Sequence, residues 1–292
     1  MQKKNNTAFS LIEISIVIVI VGFLVAAITQ SKKLIARTRI NTARSNTLSS
    51  PVLSTPGLLA WFETSLDKSF IELEQEDMTP ISTWFDLNTS SSLKFNLTQS
   101  IANNRPNYII RGINDLPSLE FLGNNYLEMP YNLTLNPVSF SIFIVSKTKI
   151  FSASQVSTIL CNNSANRGFI INSFLNGAIP NYQIALGDNT TLTTQNLTSL
   201  GNAFNKADLV TIIHSGTSLT SYYNSGNSST INNNFAINID KKLTIGVNNC
   251  NLILSNFFQG QIGEIIFFER NLKSEERISI EKYLGRKWGI KF

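Results

Sequence analysis

The chain has 292 residues, 42% of them hydrophobic and only 15% charged, enough for one large or two ordinary domains. Its net charge of +5 is unevenly placed: residues 1–50 carry seven Lys/Arg against one Glu, whereas residues 51–292 carry 17 basic and 18 acidic groups. A nucleic-acid module needs a basic face on its folded part, so a near-neutral body excludes nucleic acid as the partner, and the basic cluster beside the first apolar run suits anionic lipid headgroups instead.

The N-terminal run from Ala8 to Ile28, AFSLIEISIVIVIVGFLVAAI, is apolar except for Ser10, Glu13, Ser15, Gly22 and the small residues around them. A bilayer core about 30 Å thick needs about 20 such residues in a helix, and Phe9 to Ile28 supplies them. A carboxylate inside hydrocarbon is costly, which makes Glu13 a functional candidate whose cation must be sought. A short polar leader, MQKKNNT, precedes the run and carries Lys3 and Lys4.

This arrangement, with Ala8 before Phe9 and Glu13 fifth when counted from Phe9, resembles the prepilin-type N-terminus of type IV pilins and type II secretion pseudopilins. The resemblance implies a leader over residues 1–8, cleavage between Ala8 and Phe9 by a prepilin peptidase, and methylation of the new Phe9 α-amine. It further implies that the Glu13 carboxylate pairs with the terminal amine of a neighbouring pilin or pseudopilin subunit within the lipid. The family more often has Gly before the Phe. Two other readings compete: a secretory signal peptide cut near Val25-Ala26-Ala27, and a plain single-pass anchor. The basic residues Lys32, Lys33, Arg37, Arg39 and Arg44 outnumber the two leader lysines, so a charge count alone places the body in the cytoplasm. The resemblance instead places the anchor in a bacterial inner membrane with the body periplasmic or on the cell surface.

The helix is expected to run on to about residue 50, with a weak apolar stripe of Leu34, Ile35, Ile40 and Leu48. Pro51 and Pro56-Gly57 then interrupt it, so residues 51–57 read as a linker. From Leu58 onward, strand-like runs alternate with turn clusters rich in Asn, Ser and Thr. SLEFL (118–122), SFSIFIVSK (139–147), FIINSF (169–174), LVTIIH (209–214), KLTIGV (242–247) and GEIIFFE (263–269) are the clearest. Many short strands at fairly even spacing predict a mainly β, antiparallel β-sandwich or jelly roll over residues 58–292. It is preceded by the long transmembrane helix and closed by a short C-terminal helix. That last helix is expected to start with Ser274 as N-cap and with Glu275 and Glu276 in its first turn. Ile280, Leu284 and Trp288 would form its docking face.

Cys161 and Cys250 form an even pair that an exported chain can bridge, and two unpaired buried thiols are the alternative. No second Cys or His lies at ligand spacing, so no metal or cofactor is assigned. His214, within LVTIIHSG, reads as a strand residue near a turn rather than a catalytic one.

The body also resembles LamG-like, concanavalin A-type lectin/glucanase jelly rolls. The matching segments are Leu59-Ala60-Trp61-Phe62, Ser82-Thr83-Trp84-Phe85-Asp86, Arg105-Pro106-Asn107-Tyr108 and Gly112 to Phe121. Near the C-terminus they are Gly263 to Phe268, Arg270-Asn271-Leu272, and the Ser274–Trp288 helix ending Lys287-Trp288-Gly289-Ile290. The resemblance implies two antiparallel sheets that recognise a carbohydrate or protein ligand at a face or rim. Trp61, Trp84 and Trp288 read as core or helix-docking residues rather than sugar platforms. Glu63 stands where the family has Asp, and Leu87 to Ser92 replaces a Gly-rich turn, so Asp86, Asp188 and Asp240 are not assigned a calcium ion. Glu72-Leu73-Glu74-Gln75-Glu76 has the carboxylate spacing of a glucanase strand. Because i and i+4 on a strand lie about 13 Å apart and retaining hydrolysis needs carboxyls about 5–5.5 Å apart, it reads as a solvated acidic stretch and no catalytic residue is named. Together these readings predict a minor pilin- or pseudopilin-like subunit displaying a lectin-like domain for adhesion or secretion, with a membrane-tethered carbohydrate- or protein-binding module or a membrane-anchored glycosidase as alternatives.

Overall fold

A computed structural model describes residues 11–129, 139–149, 155–164, 167–176, 179–188, 190–198, 205–232, 242–249 and 253–292. The chain divides into two compact units, residues 1–42 and 43–292. Helix α1 (Leu11–Leu48) accounts for the described part of the first unit and its last turns belong to the second. Its apolar N-terminal half is long enough to cross a membrane, and side chains such as Phe23 and Leu24 are exposed.

The second unit is an antiparallel β-sandwich. Its strands are β1 (Leu58–Glu63), β2 (Thr79–Pro80), β3 (Thr83–Trp84), β4 (Leu97–Thr98), β5 (Asn107–Ile113), β6 (Leu116–Leu122), β7 (Leu127–Glu128) and β8 (Ser139–Thr148). They continue with β9 (Val156–Ser164), β10 (Arg167–Asn176), β11 (Ile179–Asp188), β12 (Leu192–Thr198), β13 (Asp208–Ser215), β14 (Ser218–Tyr223), β15 (Asn227–Asn232), β16 (Thr244–Ile245) and β17 (Gln259–Phe268). Among the described residues one sheet runs β15-β14-β13-β8-β17-β6-β5-β2, with β1 also paired to β17, and the other runs β12-β11-β10-β9-β16-β7-β4-β3.

Side-chain alternation explains how the layers close. Successive residues of a strand point to opposite faces. Phe62, Ile142, Ile144, Ile265 and Phe267 therefore face the second sheet and pack in one cluster with Trp84, Leu127, Ile159 and Phe169. Their neighbours Trp61, Phe143, Val145, Ile266 and Phe268 turn outward into a second cluster with helix α2 (Ser274–Trp288), Ala43 and Val52. A sheet buried on both faces needs apolar residues at every position, which is why β17 reads IIFF without a polar break. Next to the edge strand β15, β14 alternates instead, burying Leu219, Ser221 and Tyr223.

Two local features differ from expectation. Lys273, not Ser274, occupies the N-cap of α2, and its backbone N–H donates to Glu276 Oε2 at 2.9 Å. Glu276 also takes a bidentate pair of hydrogen bonds from Arg270. The run 242–247 yields only the two-residue β16, because Gly246 turns the chain at φ +89° and lies against the Phe121 ring, where a Cβ would come within 2.5 Å. The helix α2 ends at Gly289, left-handed at φ +66°, with Ile290 N–H returning to Gly285 O at 3.0 Å.

Candidate functional site: a polar cleft beside a sealed ionic cluster

Two concentrations of polar chemistry stand out in the sandwich unit, and only one is open to a ligand. The sealed one is built on Glu63, at the end of β1, and Glu264, its register partner on β17. Lys287, one residue before the end of α2, sends its ammonium between them, 2.7 Å from Glu63 Oε2 and 2.9 Å from Glu264 Oε2, with all three side chains fully buried. Glu264 also accepts from Trp61 Nε1 (2.8 Å), Trp288 Nε1 (2.8 Å) and the Tyr283 hydroxyl (2.7 Å). Glu63 accepts from the Ser65 and Leu66 backbone and from the hydroxyls of Ser65 and Ser69.

Burial alone would raise the Glu63 pKa, but the Lys287 ammonium and the Ser65 donors overcome it and hold the carboxyl below its ordinary value. Lys287 is likewise pushed down by burial and carried above its ordinary value by Glu264 and Glu63. Burial of paired ions with their remaining lone pairs satisfied is a structural arrangement. It ties the end of α1, through Thr47 near the Tyr283 hydroxyl, to the sheet and α2. Arg44 adds a hydrogen bond to Ser65 O at 2.8 Å and an ion pair with Asp67. The sequence reading saw Glu63 only as a departure and Lys287 only as part of a motif. The signal it missed is a Lys on the apolar face of an amphipathic helix, which has to meet buried acids.

The open site is a cleft of about 420 Å³ where the β5–β6 turn, the C-cap of α2, the approach to β13 and the end of β14 converge. Asn114, Asn205, Lys206, Asp208, Asn224 and Lys291 supply its polar lining, and Tyr223 contributes an aromatic edge. Asn114, Asn205 and Asn224 all have positive φ, a conformation Asn tolerates better than most residues. Those turns therefore aim short amide side chains at one place. Asp208, only 2% exposed, accepts from the hydroxyls of Tyr223 (2.6 Å) and Tyr182 (3.0 Å). Burial pushes its carboxyl up to about 6, against the lowering hydrogen bonds of Tyr223, Tyr182 and Asn224.

The residues singled out from sequence fall elsewhere. Glu13 sits in the first turn of α1. Ala8, Phe9 and Cys250 lie outside the described residues, so neither the leader cut nor the Cys161–Cys250 pairing is described; Cys161 itself is buried on β9, its Sγ 3.7 Å from Asn248 Oδ1. Trp61, Trp84 and Trp288 are all buried. Asp86 is a structural acceptor for the backbone N–H of Trp61, Asn88 and Phe95. Glu72–Glu74 forms one exposed 3-10 turn rather than a strand, so the three acids of 72–76 do not line a cleft. Asp188 closes β11, Asp240 lies outside the described residues, and no metal-binding cluster occurs among the described ones. His214 is buried on β13 against Phe140, ring centroids 5.0 Å apart, where burial depresses its pKa to about 4.

No protein-family model and no curated protein sequence matches the chain. Solved structures do share its fold. The botulinum neurotoxin serotype D binding domain aligns at 16% identity with a TM-score of 0.53, over 79% of this chain and 52% of that one. Botulinum neurotoxin type C, whose cell entry depends on interaction with two ganglioside molecules, aligns at 16% identity and TM-score 0.51, over 80% of this chain and 53% of that one. Domain 4 of AbnA, an extracellular arabinanase from Geobacillus stearothermophilus, was solved with arabinotriose and aligns at 12% identity and TM-score 0.50, over 77% of this chain and 97% of that domain. The chain spans about half the length of the neurotoxin structures it matches. These likenesses, at 12–16% identity, show the architecture alone, an antiparallel β-sandwich.

Proposed function

We propose that the chain is a minor pilin- or pseudopilin-like subunit that displays a carbohydrate-binding head. The observation that carries this reading is the joining of a membrane-length helix with Glu13 in its first turn to a β-sandwich bearing an open, Asn-lined cleft. Polar convergence of that kind suits a polyhydroxylated ligand, which needs many modest hydrogen bonds fixed in direction. Fold neighbours crystallised with or named for saccharide ligands point the same way, and fold likeness alone does not assign function. The reading assigns binding rather than turnover to the head. A prepilin peptidase would remove residues 1–8 and expose Phe9 for methylation, and other subunits would supply the partners of α1.

Intact-mass measurement of the membrane-extracted protein tests the anchor. Loss of residues 1–8 with gain of one methyl group is expected; an uncut N-terminus would instead support a simple tether. Binding of the detergent-solubilised full chain to an oligosaccharide array tests the head, and retention of no saccharide at all refutes a lectin role.

A further inference from the structure

The cleft is asymmetric in charge. Lys206 and Lys291 are exposed on its rim, and neither has a carboxylate within 4 Å among the described residues. Asp208, at its floor, is the one acid among the described lining residues. The lining therefore carries an excess positive charge, although the head as a whole is near neutral.

The hydrogen-bonding capacity left over is specific. Asn114 uses one amide hydrogen on Trp288 O at 2.5 Å and keeps its carbonyl oxygen and second hydrogen. Asn205 is exposed, with its backbone N–H on Thr148 O and no side-chain partner among the described residues. Asn224 is already held, accepting from the Leu209 backbone at 2.7 Å, and so frames the cleft rather than reading a ligand. Asp208 accepts one tyrosyl hydroxyl on each oxygen and a further hydrogen bond from the Asn224 side chain, which leaves one of its four lone-pair sites for a ligand donor.

We infer that this cleft takes an acidic saccharide, its carboxylate or sulfate held between Lys206 and Lys291 and its hydroxyls on Asn114, Asn205 and Asp208. This rests on the head being carbohydrate-binding and adds the ligand class. An acidic peptide fits the lysines but presents fewer hydroxyls than a sugar to Asn114, Asn205 and Asp208. A neutral sugar fits the amides and leaves the two ammonium groups unused. Polyanionic nucleic acid is disfavoured by the neutral surface outside the cleft.

The test is an array carrying uronate-, sialate- and sulfate-bearing oligosaccharides beside their neutral counterparts and acidic peptides, read with the full chain in detergent. Expected is a preference of about tenfold or more for acidic sugars, weakened as salt rises from about 0.05 to 0.5 M. In K206Q/K291Q, a pair of surface changes that leaves the core intact, acidic sugars should fall to the level of neutral ones. In Asn205→Ala, acidic and neutral sugars should weaken together. Equal binding of neutral and acidic sugars, unmoved by K206Q/K291Q, overturns the inference and leaves the lectin reading standing. Retention of acidic peptides without sugars overturns both, as does retention of nothing.

Discussion

Glu63 and Glu264 face each other as register partners across β1 and β17, two buried carboxylates side by side. Like charges directly opposite on adjacent strands are destabilising, so this pairing depends on the ammonium of Lys287, 2.7 and 2.9 Å from the two acids. Replacing Lys287 by Met keeps the stem volume and removes the charge. Breaking a buried pair in this way costs about 3–5 kcal/mol, measured by urea unfolding of the full chain in detergent. A Lys287→Met, Glu264→Gln double variant should recover part of that loss, because one uncompensated charge goes. The pH dependence has a definite sign. Glu63 has a folded pKa below its unfolded value, so its contribution is complete above about 4.5 and is lost as pH falls through the depressed value. Wild type should show an acid limb that Lys287→Met lacks.

Gly263 has a different constraint. A Cβ built there would sit 2.5 Å from the Trp288 ring, which is itself fully buried. The ring cannot retreat, because its Nε1 is held 2.8 Å from Glu264 Oε2. Gly263→Ala should therefore cost about 1–3 kcal/mol by overpacking and shift the fluorescence of Trp288. A change under about 0.5 kcal/mol would show that α2 can slide over the sheet.

How much of this was legible in the sequence depends on the range of the interaction. The strands were readable where apolar residues fill every position of a doubly covered sheet, as in GEIIFFE, or alternate, as Leu119, Glu120 and Phe121 do in SLEFL. The docking face of α2 was readable from Ile280, Leu284 and Trp288, all buried. The ionic cluster was not, because Glu63 and Lys287 are 224 residues apart and only the register of β1 against β17 brings them together. The cleft was unreadable for the same reason: Asn114, Asp208 and Lys291 come from three distant turns, and no local spacing connects them. The last turns of α1 surprise in detail. Ala43 and Thr47 are the buried pair, while Leu48, part of the expected stripe, is 71% exposed.

Two buried groups in the head titrate in opposite senses. Burial raises Asp208 from 3.8 to about 6, opposed by its Tyr223 and Tyr182 hydrogen bonds. Between about pH 4 and 6 the folded chain holds a proton that the unfolded chain has released, so this group makes stability fall as pH rises. Burial lowers His214 from 6.5 to about 4, so over nearly the same window the unfolded chain takes up a proton the folded chain refuses, and stability rises with pH. Each effect is on the order of 1–3 kcal/mol. Wild type should be nearly flat between about pH 4.5 and 6. His214→Phe should lose stability as pH rises through that window, and Asp208→Asn should gain it. Thermal unfolding of the three proteins in parallel decides the matter, and identical profiles would remove both assignments.

Glu13 carries the assembly reading. It stands in the first turn of α1, in the compact unit of residues 1–42 rather than in the sandwich unit. A carboxylate at membrane depth costs about 2.5–3.5 kcal/mol on insertion scales, and under the proposed assembly an ammonium from an adjacent subunit at the same depth would offset that cost and fix axial register. Glu13→Ala should therefore abolish recovery of sheared filaments or cross-linked oligomers from cells, and leave both membrane insertion and the thermal unfolding of the head unchanged. Glu13→Gln, which keeps the shape and removes the charge, should fail in the same way. Assembly undiminished in Glu13→Gln would reduce α1 to an anchor and the head to a tethered binding module.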